Sequence, residues 1–334
     1  MGRNGVHLVR DWPDTPEIRA WLTSPREDLV QETVQETVLE PGDTVIDTVI
    51  SRFTQSHGPF VNYQRTVTRA VSETPGSREP GTPGQSLREH VSYTLIIPWF
   101  RWLFAPLIRR YLRSRRPEHE LALPRWSPPD RLDAPQAQLL GLLAAASLLT
   151  AFVNTLFTQT VAYAADDFGV GDWGRGVAGT VVRVGIVLSF PAALLADRLG
   201  RRRVVITLAW SAPVIAALGA LSPTFPILVA TQSLGRPLGL ALDLLIAVIA
   251  AEEMPRNSRA YAVSILAMAN GLGAGVAVIA LPLADLGDSG WRLIYVLSLV
   301  WLAVALDVTR RLPETRRFEI HARAMSEVSV SEVS

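Results

Sequence analysis

The sequence predicts an all-α membrane protein, a six-helix transmembrane bundle, preceded by a small α+β cytoplasmic domain. Three observations carry that expectation. The 334 residues are 49% hydrophobic and mean hydropathy is positive, which is too apolar for an ordinary soluble chain. The apolar residues are concentrated: residues 1 to about 137 are polar and rich in Arg, Glu and Pro, whereas about 138 to 310 are apolar with brief polar breaks. Within that second half, nearly all the arginine falls in every other break. The expected divisions are 1–116, the α+β domain ending in an amphipathic or interfacial helix; 117–137, a Pro-rich linker; 138–311, the bundle; and 312–334, a cytoplasmic tail.

In the first half, Thr15-Pro16-Glu17 and Ser24-Pro25-Arg26-Glu27 each pair a capping hydroxyl with a proline suited to a first helical turn. Val30, Val34 and Val38 then recur at helical spacing. From Pro41 onward β-branched density rises through TVIDTVISRF, FVNYQRTVTRAV and HVSYTLII, separated by turn-rich stretches such as ETPGSREPGTPGQS. The strand-then-helix order resembles the end of a helix-grip, polyketide-cyclase-like domain. In Ile96 to Arg116 the apolar part runs for roughly 13 residues, about 20 Å of helix. That is short of a ~30 Å hydrocarbon core. Trp99, Phe100, Trp102 and Phe104 with Arg109, Arg110, Arg113, Arg115 and Arg116 suit a membrane surface. The same segment also suits the closing helix of the soluble domain, packed on its sheet with a solvated basic end. PEHELALPRWSPPDRLDAP reads as an extended linker.

Six apolar spans follow: Leu139 to Ala164, Gly176 to Ala196, Val204 to Leu221, Phe225 to Ala251, Ala260 to Leu283 and Trp291 to Val308, each near the ~20 residues a crossing needs. The breaks RWSPPDR, DRLGRRR, EEMPRNSR and TRRLPETRR hold nearly all the arginines, whereas DDFGVGDWGR, SPTFP and ADLGDSG together hold Arg175 alone. The positive-inside rule then puts both ends of the chain in the cytoplasm of a bacterial-type inner (plasma) membrane. MGRNGVHLVRDW has no apolar core of signal-peptide length, which agrees with a cytoplasmic N-terminus.

Between the second and third spans lies PAALLADRLGRRR, Pro191 to Arg203. Gly200 can end a helix sharply, and Arg198, Arg201, Arg202 and Arg203 mark a cytoplasmic turn. Asp197 opposes the helix dipole there and needs a cation or a facing helix N-terminus to offset it. Inside the spans, Thr150, Asn154 and Thr158 form one stripe of the first helix. Arg236 and Asp243, seven apart, share a face of the fourth, and Arg183, Arg236 and Asn154 fall near mid-depth. Polar groups at that depth face a bundle interior or a pathway. These six residues are therefore candidates for a substrate path, with Arg183 or Arg236 holding an anionic group or a carboxylate partner and Asp243 available for ion pairing or proton coupling. A structural Arg–Asp pair that orders the second and fourth helices remains an alternative. Gly271, Gly273, Ala274 and Gly275 allow the fifth helix a close approach to a neighbour.

The motif Ala193-Leu-Leu-Ala-Asp197-Arg198-Leu-Gly200-Arg201-Arg202 resembles the loop between helices two and three of the major facilitator superfamily, with pattern G-x-L-A-D-R-x-G-R-R/K; Ala193 replaces the first glycine. Arg236-Pro-Leu-Gly239 is similar to the R-x-x-G of the family's fourth helix, and AEEMPRNSRA to its loop between helices four and five. GWR at 290–292 followed by Pro313-Glu314-Thr315-Arg316 is similar to the entry and exit of helix six. Asn270-Gly-Leu-Gly-Ala-Gly275 carries the glycines of the antiporter signature in helix five without its proline. The resemblance covers about 138–318 and implies one six-helix half, whose family members carry two, with the substrate path between them. It also implies that Asp197, Arg198, Gly200, Arg201 and Arg202 form a gating loop, with Asp197 offset partly by the eleventh helix of the other half. The terminal SEVSVSEVS reads as a truncation or frameshift scar, or as a natural terminus.

The expected function is membrane transport of a small solute by alternating access, needing a second six-helix half from a homo-oligomer or another polypeptide. The competing expectation is a non-transporting half whose N-terminal domain binds a lipid or protein partner. Expected partners are membrane lipids and the solute; no cofactor and no metal are expected. There is no cysteine, and all 32 basic residues are arginine. His7, His57, His90, His119 and His321 are scattered without metal-ligand spacing, so no enzyme constellation is expected. The arginine clusters lack the aromatic interleaving of nucleic-acid grooves, and no nucleic-acid partner is expected.

Overall fold

The computed structural model describes residues 5–40, 46–72, 86–117 and 123–313; the side chains of 40, 46–48, 70–72, 86, 192–194 and 197 also lie outside the described part, as do the turn-rich 73–85 and the tail from 314. The chain divides into two compact units, Met1–Gln138 and Leu139–Ser334.

The first unit is built on an antiparallel sheet. Strands β1 (Gly5–Pro13), β2 (Gln31–Glu40), β3 (Ile46–His57), β4 (Phe60–Ser72) and β5 (Ser86–Leu95) lie in the order β1-β5-β4-β3-β2. Helix α1 (Pro16–Thr23) follows β1, and α2 (Arg101–Ser114) follows β5. The three β-branched runs supply β3, β4 and most of β5. Helix α1 starts at its sequence signature: Thr15 Oγ1 accepts from the Ile18 N–H at 3.3 Å, with Pro16 in the first turn.

The second signature, Ser24-Pro25-Arg26-Glu27, starts no helix, and residues 31–40 are a strand. Val30, Val34 and Val38 are four apart, an even spacing that keeps one face of a strand as well as one face of a helix. The β-branched Thr33, Val34, Thr37 and Val38 favour the strand, and pairing with β3 fixes it, with register shifts between Gln31/Glu32 and Val34/Glu36. Val34 is exposed, so these valines are no core stripe. Strand β1 was not legible because its inward positions include Arg10, whose Nη2 donates to the Leu112 carbonyl at 2.6 Å and so caps the end of α2.

One face of the sheet is covered. Alternation directs Tyr63, Arg65 and Val67 of β4 and Leu87, Glu89, Val91, Tyr93 and Leu95 of β5 inward, all buried. Helix α2 packs Ile108, Tyr111 and Leu112 on Leu8, Phe60, Val91 and Tyr93. Helix α1 packs Leu22 on Phe53, Val67 and Leu87. Helix α2 thus closes the sheet with one of its faces. Residues 123–133 lie on this unit: Trp126 meets Tyr111 edge to face with centroids 6.4 Å apart, and Arg131 Nε donates to the Asp28 carbonyl at 2.6 Å.

Between the two apolar clusters sits a neutral set of buried charges, Arg26, Glu32, Arg65 and Glu89, none more than 4% exposed. Glu32 accepts from Arg65 Nε at 2.9 Å, Arg65 Nη2 at 2.6 Å, the Tyr63 hydroxyl at 2.6 Å and the Arg26 backbone N–H at 2.9 Å. Arg26 pairs with Glu89, which also accepts from the Trp12 indole at 3.2 Å. The Arg65 guanidinium lies 4.0 Å over the Phe53 ring and donates to the Leu22 and Ser24 carbonyls. Burial acts to raise the Glu32 carboxyl, but the hydrogen bonds and charge of Arg65, with the charge of Arg26, outweigh it and hold the group below its usual range. Burial, aided by the Asp28 charge, pushes the Tyr111 hydroxyl up to about 12.

The second unit is helical. It comprises α3 (Ala134–Asp167, which begins in the first unit), α4 (Asp172–Val184), α5 (Ser189–Leu199), α6 (Arg201–Leu218), α7 (Phe225–Glu253), α8 (Arg259–Ile279), α9 (Trp291–Leu297) and α10 (Leu302–Arg311). Among the described residues, five helices are long and apolar enough to cross a membrane: Ala134–Asp167, Arg201–Leu221, Phe225–Glu253, Arg256–Leu286 and Trp291–Arg311. The segment expected as the second of six spans is helical from Asp172 to Leu199 but is not among the five. It tightens into a 3-10 turn at Gly185–Leu188. There Gly185 lies so close to α7 that a Cβ would stand 2.8 Å from the Ser233 carbonyl oxygen.

Small residues set the helix crossings. A Cβ on Gly273 would lie 2.2 Å from the Leu148 carbonyl oxygen, so α8 and α3 touch through backbone, while Gly271 and Gly275 face open space. At one end of the bundle, Arg292 Nη1 donates to the Ala220 and Ser222 carbonyls at 2.7 and 2.9 Å, and the Trp291 indole donates to Asp167 Oδ2 at 2.9 Å. These bonds tie α9 to α3 and to the turn after α6.

Candidate functional site

The polar residues of the bundle fall into two groups. The first joins α3, α7 and α8. The Thr150 hydroxyl, fully buried, lies 3.1 Å from Asp243 Oδ1, and Asn270 Nδ2 donates to the same oxygen at 3.2 Å. One carboxylate thus collects two neutral groups from two other helices. Asn270 was not among the sequence candidates, although an amide within an apolar span was the signal that pointed to it.

The second group lies at the Gly239 level of α7. Asn154 of α3 rests against Gly239, its Oδ1 2.7 Å from the place a Cβ would take, and that oxygen is buried with no hydrogen-bond partner. One turn away on α7 is Arg236, whose Nε is likewise buried without a partner. Arg183 of α4 lies two residues before Gly185, which approaches Ser233 of α7, three residues before Arg236. Arg183 itself is exposed. Asn154 thus lies beside Gly239, three residues from Arg236. No described ion pair joins Arg236 to Asp243. Seven residues is ~10 Å of helix rise, and Asp243 is already engaged by Thr150 and Asn270. Thr158 is exposed and joins neither group.

The loop after α5 follows its sequence. Gly200 takes φ +94°, closed to most side chains, and its N–H bonds the Ala196 carbonyl, so α5 stops and α6 starts within one residue. Arg201 pairs with Glu252 in the last turn of α7. Arg202 Nε donates to the Leu312 carbonyl at 2.7 Å and its Nη2 to the Thr309 carbonyl at 3.1 Å, a cation capping the end of α10. The loop thus clasps two other helix ends. Arg198 is exposed, and the Asp197 side chain lies outside the described residues. Among the described residues, no group of three His, Asp or Glu side chains is placed to hold a metal ion.

Apolar helices of crossing length, glycine-set crossings and an arginine-clasped turn define a multi-pass helical membrane protein. The family model of the Major Facilitator Superfamily matches residues 103–328, more than half of the sequence, and the chain belongs to that superfamily. Among solved structures, the chain is similar to the human organic anion transporter MFSD10 (TETRAN), at 19% identity and a TM-score of 0.43, over 54% of this chain and 48% of that one. The matched region thus spans about half of that transporter. No curated protein matches the chain.

Proposed function

We propose that this chain moves a small anionic solute across a bacterial-type inner membrane by alternating access, together with a second six-helix body supplied by another copy or another polypeptide. In this reading 172–199 crosses as well, the second of six spans, and both termini are cytoplasmic. The observation that carries it is the pair of guanidiniums at Arg183 and Arg236. The Arg236 Nε is buried without a hydrogen-bond partner, and no described ion pair joins either guanidinium to an acid. Unpaired cations within an apolar bundle are costly, and a bound anion relieves that cost. Arg183, Thr158 and Gly271 are exposed, which supports a further helical body or a solvated path beside them.

The test is uptake into proteoliposomes of the purified chain, with labelled organic anions, sugars and cationic dyes under imposed gradients, beside native mass measurement of its oligomeric state. Anion uptake by an oligomer is expected. Absence of flux under every gradient, from a monomer, would overturn the proposal for this chain.

A further inference from the structure

Helix α2 closes the sheet with one face and leaves the other uncovered. Inward lie Phe104, Ala105, Ile108, Tyr111 and Leu112. Outward, at helical spacing, lie Trp102, Leu103, Leu107, Arg109, Arg110 and Arg113, all exposed; Trp102 is 75% exposed. Trp99, in a left-handed turn at φ +63° just before the helix, is exposed as well. The outward face is graded along its axis. The aromatic and aliphatic residues occupy the first two turns, and the arginines occupy the last two with no acidic residue between them.

We infer that this face of α2 docks on the surface of an anionic lipid bilayer, its N-terminal turns entering the interface and its arginines meeting headgroup phosphates. Charge complementarity selects this occupant. Three arginines of one sign beside exposed indole and leucine side chains match a negatively charged interface that is apolar below. The helix is anchored to its own domain through the opposite face, so docking needs no unfolding and lays the whole sheet unit on the membrane. Arg115, paired with Asp28 at 2.8 Å, takes no part in docking. This inference is independent of transport and of the second body.

The chain has no cysteine, so single-cysteine variants report individual positions. Leu103→Cys, Leu107→Cys and Ser114→Cys sample the outward face, and Val9→Cys, on an exposed sheet position, is the control. Each full-length variant is spin-labelled and placed in nanodiscs of phosphatidylcholine alone or mixed with phosphatidylglycerol. Collisions are then measured with oxygen and with a water-soluble nickel chelate. In anionic discs at low salt, the label at 103 should be most lipid-exposed, that at 107 less and that at 114 least, with Val9→Cys in water. High salt or the triple change Arg109→Gln, Arg110→Gln, Arg113→Gln should shift the population back to water, the triple change by roughly a hundredfold. Two results would overturn the inference: nickel accessibility at 103 equal to the control in anionic discs, or protection at 103 from both reagents that is the same in neutral and anionic discs, the mark of a protein partner.

Discussion

Glu32→Gln tests how the first unit is held together. The carboxylate takes five hydrogen bonds, three of them from Arg65, and it balances one of two guanidiniums sealed in the core. The amide keeps the shape and removes the charge, leaving Arg26 and Arg65 with Glu89 alone. Breaking one side of a buried ion pair costs about 3–5 kcal/mol. At 1.4 kcal/mol per factor of ten, hydrogen-exchange protection of β4 and β5 amides in the full chain should fall roughly 10²–10⁴-fold. Replacing both members with apolar side chains, Glu32→Met with Arg65→Met, should restore much of that protection, because no charge is then stranded. Protection within about 1 kcal/mol of wild type in Glu32→Gln, or a double variant worse than the sum of the two singles, would refute the reasoning.

Acid should unfold the same unit. The folded Glu32 carboxyl sits below its unfolded value of 4.5, so the stability it contributes is present above that value and is lost as pH falls through the folded one. A pH series of β4 and β5 exchange should show this acid limb, and Glu32→Gln should flatten it. In the second unit, Gly273→Val should force α8 off α3 and lower the thermal stability of the helical unit by about 1–3 kcal/mol, whereas Gly271→Ala and Gly275→Ala, facing open space, should be near neutral by the same melt. Equal effects at all three glycines would show that the crossing does not depend on the backbone contact at Gly273.

The parts legible in the sequence were those that one local rule decides. Apolar run length marked six spans, five of which are helices of crossing length, Gly200 and its arginines marked a tight turn, Thr15 a helix start, and a glycine cluster a close helix approach that Gly273 makes to α3. What failed depended on distant pairing. The valines before residue 40 satisfy two periods at once, and only β3, pairing alongside, decides between them. The buried set of Glu32, Arg65 and Glu89 went unread, because nothing local shows that three strands and the Arg26 segment bring opposite charges together in a closed core. Within the bundle, the polar stripe of α3 was visible as spacing, but its partners were not. Asp243 goes to Thr150 and Asn270 rather than to Arg236, since reach across the bundle, and not charge alone, sets which groups meet.

The most direct test of the central proposal is organic-anion flux in proteoliposomes of the wild-type chain, with any second body it requires, beside Arg183→Gln, Arg236→Gln and Asp243→Asn. Loss of anion uptake in both arginine variants, with the protein still folded and inserted, is the expected result. Undiminished flux in Arg236→Gln and Asp243→Asn together would contradict the pathway.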